Sequence, residues 1–300
     1  AEFRHHADRR GIASGLTVYT ISQMQQIAGD LDGAVMTARE AIDAIDAFDT
    51  FNAGPMVRWH GSIVAHHAGD DDLGSRLLAE AEQRAGGDAP WQEVWAPRAA
   101  AWLEQARGDT DTAIAWARDA GKGAVETSEV GWGVYCYHDA VVWGGADEVA
   151  VAMKRLRQHT SNVPTWDLVF EHAQAAFERN VGGLAHVARE FESLGARWFA
   201  AAAWANRATI IDDPVESCRD ATRALTLSAA RGIHPDAADL ALSARQLGVA
   251  SATAAGATSK QVAEALFLSP RTVDNHLREV YRRLGISGRD ELSEVIAPPG

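Results

Sequence analysis

Cysteine is scarce: Cys136 and Cys218 are the only two in 300 residues, too few for a disulfide framework or a four-ligand zinc site. No apolar run approaches the roughly 18 residues needed to span a bilayer, and the opening AEFRHHADRR has no hydrophobic segment of a signal peptide. The expectation is a cytoplasmic chain that neither crosses nor enters a membrane. Because it begins at Ala1 instead of methionine, it reads either as a fragment of something longer or as a chain with an appended foreign start, and residues 1 to about 15 are uninformative. Proline is sparse at 9 residues and β-branched runs are few, while alanine reaches 58. That balance favours close-packed helices over sheet.

Signatures of catalysis are missing too. There is no G-x-S-x-G elbow, no H-E-x-x-H and no dinucleotide fingerprint. The step Gly121-Lys122 is followed by Gly123, and Trp116 stands where a phosphate loop needs its first glycine. His60, His66 and His67 lie near Asp70, Asp71 and Asp72, but the spacing fits no established ligand motif. The tetrapeptide D-L-D-G at 30–33 lacks the alternation of a calcium loop. The chain is therefore expected to be no enzyme and to hold no metal or cofactor.

What is present is unevenly distributed. Residues 242–300 carry seven Lys/Arg against six Asp/Glu, whereas the residues before them carry 21 against 35. All ten tryptophans, from Trp59 to Trp204, lie in that acidic part. Pairs such as Trp91 with Trp95 or Trp198 with Trp204 have the spacing to line a groove, although at helical spacing the core is their commoner place. Two domains with different partners are expected.

Within the acidic part, breaks recur at Gly29-Asp30, Gly69-Asp70, Gly108-Asp109, Gly144-Gly145 and Gly182-Gly183. After the first, Leu31, Val35, Ala38, Ile42 and Ile45 form a stripe at steps of 4, 3, 4 and 3. Glycine suits the left-handed residue ending one helix and aspartate caps the next, so each break reads as a turn between antiparallel helices. A sixth pair turns near Asp212-Asp213-Pro214. The pattern predicts an all-α architecture, an α-solenoid of helix pairs over residues 1–235, and it resembles the tetratricopeptide-like arrays of MalT-like regulators. Such arrays present a surface to a protein or small-molecule effector.

After a linker at 236–241, residues 258–284 read TSKQVAEALFLSPRTVDNHLREVYRRL, the punctuation of two helices joined by a short turn. Ser259 is the expected cap of the first; Ser269 with Pro270 starts the second. Val273, Leu277, Val280 and Leu284 commit one side of the second helix to a core. At about 100° per residue, Arg271, Asp274, Asn275, Arg278 and Arg282 share the outer face. Arg and Asn on such a face have the chemistry to read base edges in a major groove. Lys260, Arg283 and Arg289 are candidates for phosphate contact. Asp274 has two readings, acceptor from a cytosine amino group or partner of Arg278. His276, on the flank, is either a packing residue or a phosphate ligand.

The run LSARQ at 242–246, S-P-R-T-V-D-N-H-L over 269–277 and R-L-G-I-S-G-R over 283–289 together resemble the LuxR-type helix-turn-helix, here over 242–297. The resemblance implies a scaffold helix at 244–255 and a fourth helix at 289–296. It also implies groove contacts from Asp274, Asn275 and Arg278, with Thr272, His276 and Lys260 near phosphates, and subunit pairing on DNA through the fourth helix, where Leu292, Val295 and Ile296 form an apolar edge. Gly248, in place of an acidic residue, costs that scaffold helix about 1 kcal/mol relative to alanine. The expected function is a sequence-specific transcriptional regulator that binds double-stranded DNA as a homodimer. The rivals are a helical-repeat scaffold that has lost DNA binding and the C-terminal piece of an ATPase-type switch.

Overall fold

The computed structural model describes residues 15–49, 51–86, 91–160, 164–228 and 232–296. The first residues of the expected repeat domain and Ala297 lie outside them. Among the described residues there are seventeen helices and no strand. Twelve make up the repeats: α1 (Gly15–Ala28), α2 (Leu31–Ala47), α3 (Gly54–Ala68), α4 (Asp71–Arg84), α5 (Gln92–Arg107), α6 (Thr110–Glu126), α7 (Val130–Val142), α8 (Ala146–His159), α9 (Pro164–Phe177), α10 (Val181–Ser193), α11 (Arg197–Ile210) and α12 (Pro214–Leu227). A short α13 (Ala237–Leu240) falls within the expected linker, followed by α14 (Ala244–Ala254), α15 (Ser259–Ala265), α16 (Pro270–Leu284) and α17 (Arg289–Val295).

The breaks do what glycine and aspartate allow. Gly29, Gly69 and Gly108 sit at φ 80°, 83° and 84°, and Asp30, Asp70 and Asp109 accept from the amides of Gly33, Leu73 and Thr112. Asp213 caps α12 ahead of Pro214. The fifth break is corrected: Gly182 and Gly183 lie in the first turn of α10, and the turn is made by Arg179 at φ 51° with Asn180 as cap. Asparagine serves as well as aspartate there because its side-chain oxygen takes the same amide hydrogen bond.

The chain divides into two compact units, the first holding α1 to α9 and the second α10 to α17. In the first, helices approach closely over alanine: Ala34, Ala99, Ala113, Ala117 and Ala120 have no exposed surface. At Gly121 even a Cβ would stand 2.6 Å from the ring of Tyr137. Trp59, Trp95, Trp102 and Trp143 fill the remaining space, wholly buried. A polar layer runs among them. Arg98 donates to Asp139 at 2.7 and 3.3 Å, and the Trp102 indole donates to the same carboxylate at 3.2 Å. His138 and His172 meet at 2.8 Å.

The second unit begins with α10 to α12, tied by the Arg223–Glu192 pair at 2.6 Å and by Arg207 between Asp220 and Glu216. Its remaining helices fold on two small cores. One gathers Val249, Val262, Ala263, Val273 and Leu277; the other Leu242, Ala250, Val280, Leu284, Ile286, Leu292 and Ile296. Cys218, from α12, belongs to the second.

Candidate nucleic-acid interface

The helix pair α15–α16 is defined by its caps. Thr258, not Ser259, caps α15, in a capping box with Gln261; threonine two residues before Lys260 puts its oxygen over the amide three positions on. Ser269 caps α16 through the Thr272 amide at 3.1 Å, with Pro270 as first residue. Between them Phe267 holds a left-handed φ of 54°, and Leu268 N–H reaches back to the Ala263 carbonyl at 2.8 Å. That closes the short turn which sets the angle of α16.

Buried Val273, Leu277, Val280 and Leu284 form one side of α16. Arg271, Asp274, Asn275, Arg278 and Arg282 are all exposed on the other, with Thr272 and His276 half-buried at its flanks. Lys260 is exposed at the start of α15. The side chains are not equally available. Arg278 donates to Asn275 Oδ1 at 2.8 Å, so the two form a ready-made polar pair. Arg282 grips Glu279 at 2.5 and 2.9 Å, which raises the guanidinium pKa and lowers that of the carboxyl. Asp274 accepts from Ser259 at 2.9 Å. Its partner is therefore the supporting helix, not Arg278, and it holds α15 and α16 in register.

Three expectations change at the periphery. Arg283 turns inward, donating to the Leu240 carbonyl at 2.8 Å and to Gln246 at 3.3 Å. Arg289 donates to the Ala257 carbonyl at 2.8 Å. Both brace the domain instead of facing a phosphate. Leu292 and Ile296 are 0% and 1% exposed within the domain core, and Val295 packs against it. Two of the three residues of the expected apolar edge thus lie in the core of one chain, while Val295 keeps part of its surface exposed. The scaffold helix α14 keeps Gly248 but gains a capping box between Ser243 and Gln246.

The residues that sequence reasoning missed come from α12. Arg219 donates to the carbonyls of Leu284 and Gly285 at 2.5 and 3.1 Å, placing a cation on the negative end of the α16 dipole. Thr222 accepts from the Leu242 amide at 3.1 Å, and burial pushes the Cys218 thiol pKa up. Arg219 lies 65 residues from Leu284, a separation at which no local pattern carries a signal.

Residues 240–296 match the family model described as bacterial regulatory proteins, luxR family. Two curated relatives, from Mycobacterium bovis and Mycobacterium tuberculosis, are each 28% identical over 151 residues, and their names mark them as candidate HTH-type transcriptional regulators. That stretch is 50% of this chain and 15% of each relative, so the chain spans a minor share of their length. No solved structure matches. The C-terminal domain is a LuxR-type helix-turn-helix domain that follows all-α helical repeats. Among the described residues no helix is long and apolar enough to cross a membrane.

Proposed function

We propose that this chain is part of a cytoplasmic transcriptional regulator that reads DNA with the outer face of α16 while its helical repeats hold an effector or partner. The observation that carries the reading is the division of α16: four buried aliphatic residues on one side, and Arg271, Asn275, Arg278 and Arg282 exposed on the other. Asn275 and Arg278 lie six and nine residues from the Ser269 cap, where a helix entering a major groove meets base edges. Arginine pairs with guanine and asparagine with adenine, each in bidentate fashion. Thr272, His276 and Lys260 flank this face and contact phosphates. Asp274 acts through Ser259, positioning the helix. Two copies pair on an inverted repeat through a surface other than Leu292 and Ile296.

The test is the salt dependence of duplex binding by the 300-residue chain. Affinity should fall as salt rises from about 50 to 200 mM, and Lys260→Ala should reduce the slope of log affinity against log salt by about one unit. Duplex binding that is absent at low salt overturns the reading and favours the scaffold.

A further inference from the structure

Of the ten tryptophans, Trp116 alone is exposed, at 43%. Its indole lies on a half-open cavity of about 930 Å³ between α4, α5 and α6 in the first unit. Trp91 lines the same cavity and is presented by a left-handed backbone, φ 62°, ahead of α5. Pro97 and the neighbouring alanines make an apolar floor, while Glu82, Glu93 and Glu129 supply three carboxylates. Among the described residues no lysine, arginine or histidine lines the space. Among the described residues none of the three carboxylates has an ion-pair partner, whereas Glu148 and Asp139 in the same unit are neutralised by Arg118 and Arg98.

An exposed and a half-buried indole beside unneutralised carboxylates are a fit for one ligand chemistry. An organic cation gains a ring face for its charge and a carboxylate for its N–H groups, and the volume is that of a small-molecule site. We propose that this cavity binds a small organic cation bearing ammonium or guanidinium groups on an apolar stem. The proposal rests on the reading that the repeats hold an effector, and it names the ligand class.

Agmatine, which carries a guanidinium and a primary ammonium on an aliphatic stem, is a suitable probe for titration calorimetry and tryptophan fluorescence on the full chain without DNA. Saturable binding of one probe per chain is expected, weakened about three- to tenfold by Trp116→Leu and by Glu93→Gln combined with Glu129→Gln. Asp147→Asn, an exposed carboxylate on α8, should change nothing, and a neutral diol of the same length should not bind. Non-saturating binding, or equal weakening by Asp147→Asn, reduces the effect to general attraction by an acidic chain and overturns the site. Binding of a lysine-rich peptide but not of agmatine overturns the small-molecule occupant. Duplex affinity at fixed agmatine, compared between wild type and the double glutamine variant, tests the effector role separately. Equal response there leaves the cation site standing and removes the effector reading.

Discussion

Ser22 has one hydroxyl hydrogen and gives it to the Ala34 carbonyl at 2.8 Å, so His60, 2.9 Å from the same oxygen, donates through Nε2. The ring therefore carries a proton on Nε2. His67 is held by Gln26 at 3.2 Å and His138 by His172 at 2.8 Å. Burial, with the charge of Arg98 as a smaller cause, pushes His60 and His67 down to about 3, and burial followed by the neighbouring His172 and then Arg98 pushes His138 well below its ordinary value. Unfolded, each titrates near 6.5. Below that pH the unfolded chain binds protons that the folded chain refuses, so the stability these rings contribute is full above about 6.5 and is lost progressively as pH falls below it. Urea midpoints at pH 7.5 and 5.0, a window above most carboxylate titrations, should show a clear fall, and a Gln replacement of His138 should shrink it. Equal midpoints would mean that these rings are already charged or exposed.

At the scale of elements, α12 belongs to two structures at once. It closes the last helix pair of the repeats, and it also supplies Cys218 to the core under α17 and Arg219 to the end of α16. Residues 235–300 alone should thus be much less stable than residues 178–300, since removing α12 opens the Leu242–Leu284 core and uncovers the carbonyls that Arg219 caps. Thermal melts of the two fragments check this; equal melting temperatures would contradict it. Arg219→Ala in the full chain should lower operator affinity without altering which bases are preferred, because Arg219 touches the helix and not the groove. The two-residue turns were legible in the sequence since glycine and aspartate each have a local physical reason to stand there, and so was α16, whose apolar stripe and Ser-Pro start are local too. The fifth turn was misplaced because Arg179 adopts a conformation usually left to glycine. For Leu292, Val295 and Ile296 the family resemblance implies a subunit edge, and an apolar stripe looks the same whether its cover is another chain or the rest of its own domain. Nothing local distinguishes Arg283 and Arg289, which turn inward, from Arg271, which stays out.

For the whole molecule, charge separates the tasks. A repeat region with 21 basic and 35 acidic residues repels a phosphate backbone, while the small LuxR-type domain carries seven basic residues against six acidic ones. So slight an excess supplies little non-specific affinity, and specific binding must come from base contacts and from pairing two half-sites. The claim that α16 reads DNA is thereby tested most directly by selecting bound sequences from a random duplex pool with the full chain. The wild type should enrich an inverted repeat; Asn275→Ala and Arg278→Ala should each lose preference at particular base pairs and about 1 to 3 kcal/mol of specific affinity, while Lys260→Ala recovers the wild-type motif. No enrichment by the wild type, or the same motif from all four proteins, would contradict it.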